Sequence, residues 1–220
     1  MLDAAAIILA GGKNTRMGTN KALLEIQDRQ MIRRVIDELG GEFPEIIIVA
    51  NDPERYRASG VRVTADIIPD RGPLSGIHAG LTVSPRRLNF VTACDMPFVS
   101  GPLAAHMIHR TGDADALVPR IDNKWQPLFA VYSRDCLQAI TDCLEQERCK
   151  VTAFYPAVRV KYIEEDEVRR FTDPVRVFYN VNTPAELARA RTMAGEGQEP
   201  GKQPPEKPPA EGGEGLGAAD

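Results

Sequence analysis

Short apolar runs alternate with helical patterns along most of the chain, and this alternation is what most limits the fold. Runs of β type fall at residues 4–9, 45–50, 61–64, 89–93, 116–119 and 128–132. Between them Met31, Ile32, Val35, Ile36 and Leu39 keep the spacing of one helical face, and helical patterns recur at 77–83, 103–110 and 137–144. Ile46-Ile47-Ile48-Val49 shows no polar alternation, which suits a strand buried on both faces. The pattern predicts an α/β fold, with a doubly wound, mostly parallel sheet flanked by helices. Ligands of such sheets bind outside the carboxyl ends of the strands. The loops after Leu9, Ala50, Thr64 and Ala93 should therefore meet at one crevice.

The first of these loops reads Leu9-Ala10-Gly11-Gly12-Lys13-Asn14-Thr15-Arg16-Met17-Gly18-Thr19-Asn20-Lys21. Three glycines let backbone N–H groups approach a polyphosphate, because no side chain blocks the way. Arg16 and Lys21 add positive charge where phosphates would lie. The loop is not a Walker A motif, since Asn20 precedes Lys21 and Ala22 follows it. Nor is it the dinucleotide fingerprint, because Gly11-Gly12-x5-Gly18 lacks the Gly-x-Gly-x-x-Gly spacing.

Asp95 follows the apolar run Phe90-Val91-Thr92-Ala93 and should stand at a strand's carboxyl end, on the same edge as the glycine loop. Two roles suit it there. It could hold the Mg²⁺ carried by a nucleotide, since that ion takes one or two carboxylates together with phosphates and waters. It could equally cap a helix starting near Pro97 or Pro102; the neighbouring glycine loop favours the metal. A third segment, Asp66 through Leu81, contains Gly72-Pro73-Leu74-Ser75-Gly76, a turn leading into a helix that starts around Ser75. His78 on that helix reads as a packed histidine. Further on, Trp125-Gln126-Pro127-Leu128 joins a polar loop to a strand and could wall a second substrate, whereas Tyr132 reads as core. Asn180 and Asn182 precede a last helix that begins at Pro184 with Thr183 as its cap.

Taken in order over about residues 4–193, these five segments resemble the molybdenum cofactor guanylyltransferases of the MobA type. The Gly11-Gly12 pair resembles that branch, since cytidylyl and sugar-phosphate relatives more often carry Ala at the Gly11 position. The resemblance implies a Rossmann-like nucleotidyltransferase that moves GMP from GTP onto molybdenum-bound molybdopterin and releases pyrophosphate. The alternative is a cytidylyl- or sugar-phosphate nucleotidyltransferase on the same fold. By resemblance Arg16, Lys21 and Asp95 are the catalytic residues, and Asp95 holds Mg²⁺. Leu9, Ala10, Gly11, Lys21, Asp66 and Asp95 bind GTP, with Asp66 preferred to Asp70 because it directly follows the 61–64 run. Asn180 and Asn182 contact the pterin. Where some members have Asn, this chain has Val49, and Asn51 is the candidate replacement. Gln27-Asp28-Arg29-Gln30 stands where the family often has a glycine-rich turn and proline. Other cofactor-assembly proteins or a recipient molybdoenzyme are the protein partners that the resemblance suggests.

Composition narrows the classes. A formal net charge of −4 argues against broad nucleic-acid binding, which needs a basic face. No apolar run reaches the roughly 20 residues of a membrane span, and Met1-Leu2-Asp3-Ala4 lacks the positive start of a signal peptide. Cys94, Cys136, Cys143 and Cys149 show no CxxC spacing, so a reducing cytoplasm is expected and Cys136 and Cys143 read as core. Residues 195–220 carry seven glycines and five prolines, with Leu216 the only large apolar residue. That segment cannot bury enough surface to offset its ordering entropy. The expected organisation is a nucleotidyltransferase domain over 1–194 and a disordered Gly/Pro-rich tail over 195–220.

Overall fold

The structure, a computed structural model, describes residues 2–11 and 21–196. The strands are β1 (Ala4–Leu9), β2 (Glu25–Ile26), β3 (Arg29–Gln30), β4 (Glu45–Val49), β5 (Arg62–Thr64), β6 (Leu88–Ala93), β7 (Ala116–Ile121), β8 (Lys124–Trp125), β9 (Phe129–Ser133) and β10 (Val160–Glu164). The α-helices are α1 (Met31–Gly40), α2 (Pro73–Val83), α3 (Gly101–Thr111), α4 (Leu137–Glu145), α5 (Glu165–Val168), α6 (Pro174–Val177) and α7 (Pro184–Glu196). Among the described residues no helix is long and apolar enough to cross a membrane.

One sheet organises the molecule, in the order β10-β7-β9-β6-β1-β4-β5, with β8 beside β7. β1 pairs in parallel with both β4 and β6, and β4 with β5. β10 is parallel to β7, whereas β9 runs antiparallel to both β6 and β7. The sheet is thus mostly parallel, as the alternating runs predict.

β1 explains why those runs lack polar alternation. Its Ala4, Ala6 and Ile8 pack with Ile32, Val35, Leu103 and Met107 of α1 and α3. Ile7 and Leu9 pack on the other face with Leu74, Ile77, Ile140 and Leu144 of α2 and α4. Both faces are covered, so each residue of the strand is apolar and buried. Successive strands leave β1 toward opposite sides, which opens a crevice at its carboxyl end.

Several features depart from the sequence reading, each for a physical reason. β10 has no apolar run because it lies at the sheet edge, where only Ile163 is fully buried. β2 and β3 form a hairpin whose two turn residues, Gln27 and Asp28, hold φ of 51° and 57°. A two-residue turn of that twist favours glycine or Asn-Gly, so local propensity conceals it here. The same device recurs at Asp122 and Asn123, φ 47° and 60°, between β7 and β8. α2 starts at Pro73, two residues before the expected Ser75, since proline's fixed φ suits the first helical position. α7 continues through Gly195 and Glu196, so it overlaps the start of the segment set apart by composition. Residues 197–220 lie outside the described residues.

α2 can lie close to β1 because it presents glycine there. A Cβ built at Gly80 would stand 2.6 Å from Ile7 Cγ2, so Gly80→Ala forces either the buried Ile7 side chain or the helix to shift. Overpacking of this kind costs about 1–3 kcal/mol. The variant should lower the urea midpoint without changing the slope; an unchanged midpoint would show that the packing gives way freely.

Candidate active site

A chain of main-chain hydrogen bonds extends the sheet beyond its strands and fixes the loops that follow them. Ala50 N–H donates to the Thr64 carbonyl at 2.9 Å, and Ala10 N–H to that of Val49 at 2.8 Å. Cys94 N–H donates to the Leu9 carbonyl at 3.0 Å, and Val181 N–H to that of Asp95 at 2.9 Å. The first residues of three connections, the end of β5 and the segment before α7 are thereby held side by side. Over them opens a cavity of about 650 Å³.

Leu9, Ala10, Gly11, Asp66 and Asp95 all line this cavity, as do Asn180 and Asn182. The structure therefore brings together seven of the site residues read from the sequence. Arg16 lies outside the described residues, as does the side chain of Lys21, whose backbone begins a 3-10 turn over Lys21–Leu23. Asp70, the competing carboxylate, also borders the cavity but is exposed, whereas Asp66 is half-buried.

Asp95 sits in a turn directly after β6, half-buried between buried Cys94 and Met96. It is not the cap of the helix that follows. That role belongs to Ser100, whose Oγ accepts from Leu103 N–H at 3.3 Å at the start of α3. The alternative reading of Asp95 as a helix cap is therefore set aside. Among the described residues no group of three or more His, Cys, Asp or Glu could cage a metal. A site without such a cage suits a cation that arrives already bound to phosphates.

The Asp66 side is built on glycine. Gly72, at φ 68° and ψ −160°, occupies a region open to little else. It turns the chain into Pro73 at the start of α2 and offers no side-chain cap. The amino end of α2, where main-chain N–H groups favour negative charge, thus borders the cavity. A Cβ at Gly76 would stand 3.0 Å from Leu9 Cδ2 and 3.7 Å from an Asp66 oxygen. Glycine there lets Asp66 lie down against the helix and the end of β1.

Three further residues line the cavity outside the catalytic and binding set read from the sequence, Asn51 having been only a candidate replacement. Leu128 enters from the start of β9, and Val49 with Asn51 from the end of β4. Asn51 lies beside Gly11, its amide nitrogen 3.9 Å from the position of a Cβ there. The position suits the replacement contact considered for it. Trp125 does not line the cavity: it is 44% exposed on β8 and stacks on Tyr162, with ring centroids 5.7 Å apart. Leu128, three residues on, supplies the apolar wall instead. Tyr132 is core, its hydroxyl donating to the Pro127 carbonyl at 2.8 Å and meeting that of Tyr155 at 2.8 Å. His78 packs against α4, with Nε2 3.2 Å from Thr141 Oγ1, and burial lowers its pKa. Cys136 and Cys143 are buried free thiols, and burial pushes the Cys136 thiol up to about 12.

At the last helix Thr183 Oγ1 accepts from Glu186 N–H at 3.2 Å, and Glu186 reaches back to accept from Asn182 N–H at 2.7 Å. This reciprocal cap, close in form to a capping box, fixes the asparagine segment against the cavity.

Comparison with known proteins places this geometry. The MobA-like NTP transferase domain matches residues 6–158. The chain belongs to that family. A probable molybdenum cofactor guanylyltransferase of Pelotomaculum thermopropionicum is 47% identical over 194 residues, covering 88% of this chain and 95% of its own. The molybdenum cofactor guanylyltransferase of Desulfosudis oleivorans is 38% identical over 192 residues, 86% of this chain and 95% of its own. Among solved structures, the molybdopterin-guanine dinucleotide biosynthesis protein A of Archaeoglobus fulgidus superposes with a TM-score of 0.77 at 25% identity, over 87% of this chain and 99% of that one. A CMP:2-keto-3-deoxy-manno-octonic acid synthetase in complex with CTP gives 0.70 at 13% identity, over 88% and 99%, a likeness of fold. The chain is a nucleotidyltransferase of Rossmann-like fold, as the motif order implies.

Asp66 offers a test that does not depend on substrate. Burial, then the negative charge of Asp70, raises its pKa above the ordinary aspartate value. A carboxyl with a raised folded pKa keeps its proton longer in the folded state. Stability therefore falls as pH rises from the unfolded to the folded value, and the penalty persists at neutral pH. Asp66→Asn should unfold at a higher urea concentration than the parent at pH 7, with the gain vanishing below the ordinary aspartate range. A gain independent of pH would show that charge is not its cause.

Proposed function

We propose that this chain transfers the GMP group of GTP to the terminal phosphate of molybdenum-bound molybdopterin, releasing pyrophosphate and forming the guanine dinucleotide cofactor. The observation that carries the reading is the shared cavity. The glycine-loop entrance, Asp66, Asp95 and the two asparagines converge there from separate parts of the sequence, and the relatives so named cover nearly all of their own length.

In this reading Leu9, Ala10 and Gly11 frame the guanosine, because all three line the cavity and Asn51 stands beside Gly11. Asp66 accepts hydrogen bonds from the nucleoside. Lys21 grips the triphosphate, and Arg16 stabilises the charge that grows on pyrophosphate as it leaves. Asn180 and Asn182, which line the same cavity, hold the pterin. Asp95 is the ligand for Mg²⁺, which would supply charge neutralisation to the phosphates. An oxygen of the pterin phosphate attacks the α-phosphorus of GTP, a new P–O bond forms, and the bond to the β-phosphate oxygen breaks. Both reactants are anions, so the protein's task is alignment and charge stabilisation, with no covalent intermediate.

Incubation with GTP, Mg²⁺ and molybdenum cofactor should yield the dinucleotide by mass analysis, with CTP and ATP poor substitutes. Equal use of CTP would instead favour the cytidylyl alternative. Asp95→Asn keeps the size of the side chain and removes its charge. It should reduce pyrophosphate release by on the order of 10²-fold or more while leaving the melting temperature nearly unchanged. Near-normal turnover at matched Mg²⁺ would remove Asp95 from the chemistry.

A further inference from the structure

A second cleft, of about 460 Å³, shares no lining residue with the first. Its floor is formed by Pro97, Phe98, Val99 and Ser100, and three arginines from separate elements reach it: Arg29 of β3, Arg34 of α1 and Arg176 of α6.

Two acids, Asp37 and Glu38, stand at its rim and offset part of this charge. Asp37 pairs with Arg29 and with Arg33, each at 3.0 Å. Glu38 accepts the Gly101 N–H at 2.9 Å, at the start of α3. Arg176 lies over the Phe98 ring, with Cζ 4.6 Å from the centroid, and donates to the Met193 carbonyl at 2.7 Å. Arg34 has the poorest complement. Its single hydrogen bond among the described residues is a long one, 3.5 Å, to the Ile26 carbonyl, and its Nε is buried without a partner. Burial, then the charges of Arg29 and Arg176, lowers its pKa, against an opposing pull from Glu38. Cations crowded into a half-buried cleft, one of them poorly hydrogen-bonded, destabilise the unliganded protein.

We infer that this cleft is a binding site for a phosphate oxyanion, held by Arg29, Arg34 and Arg176. A guanidinium matches two phosphate oxygens in its fork, and three forks from different directions suit a tetrahedral ligand better than a planar one. Ser100 Oγ, which accepts from Leu103 N–H, still has its own proton to donate. A free phosphate and an organic phosphate monoester present the same chemistry to the three guanidinium groups.

The test is a titration of the full chain at fixed ionic strength, first with inorganic phosphate and then with glycerol 2-phosphate, read on the arginine Nε–Hε NMR signals. The expected result is a saturable shift at Arg34 with at least one of the two. That binding should weaken tenfold or more in both Arg34→Gln and Arg29→Gln, and less in Arg34→Lys. It should persist in Asp95→Asn, which alters the other cavity. Saturation by phosphate alone identifies the free ion, and saturation by glycerol 2-phosphate alone identifies a monoester. Linear, unsaturable shifts with both, binding in the two Gln variants as tight as in the parent chain, or loss in Asp95→Asn would overturn the site.

Discussion

The site depends on the continuation of sheet hydrogen bonding past the ends of the strands. A loop would ordinarily leave a sheet with its first N–H and C=O groups turned to water. Here Thr64, Ala50, Val49, Ala10, Leu9 and Cys94 are joined across β5, β4, β1 and β6, and Asp95 is joined in turn to Val181. A buried main-chain group without a partner is unfavourable, so each of these bonds resists displacement of the next loop. The positions of Gly11, Asp66 and Asp95 are therefore inherited from strand register more than from side-chain contacts. Register is secured by cores on both faces of β1, where a one-residue slip would exchange Ile7 and Leu9 with Ala6 and Ile8.

On that frame the electrostatics are arranged in opposition. Asp66 is kept half-buried near a second carboxylate, a costly place for negative charge. The uncapped amino end of α2 lies on the same wall, where it favours negative charge. A bound molecule that donates hydrogen bonds to Asp66 while presenting anionic oxygen to the helix answers both. An isolated anion or cation would answer only one. The wall thus selects for a ligand of mixed character, which a nucleotide is.

Much of this was legible in the sequence because burial on both faces writes itself as unbroken apolar runs. β1, β4 and β6 read directly, as did the helical stripes of α1 and α4. Asp95 could be placed because it follows such a run, and Asp66 because it closely follows the shorter, half-buried β5. Other features left no trace of that kind. β10 is an edge strand with one fully buried side chain, and the direction of β9 is set by its neighbours. The Gln27-Asp28 turn adopts left-handed backbone without glycine, so its composition points the wrong way. Ser100 as the cap of α3 was hidden by two prolines that both looked like helix starts. Trp125 shows how an aromatic beside a polar loop invites a ligand role when its partner, Tyr162, lies far off in sequence.

The last helix has a consequence for how the molecule is made. α7 does not merely trail from the domain: Leu187, Ala190 and Ala194 share a small core with Ile26, Met31, Phe98 and Val181, and Arg191 Nε–H donates to the Glu25 carbonyl at 3.1 Å. Residues near the two ends of the sequence thus meet beside the cavity, and Val181 supplies the bond that holds Asp95. During synthesis, at about 5–20 residues per second, the sheet can begin to pair long before α7 leaves the ribosome. A nascent chain therefore carries the glycine loop and Asp95 for seconds before the wall that completes their setting exists. Assembly of the cavity is in this way tied to synthesis of α7, and a product truncated before it would keep much of the sheet but lack a finished site.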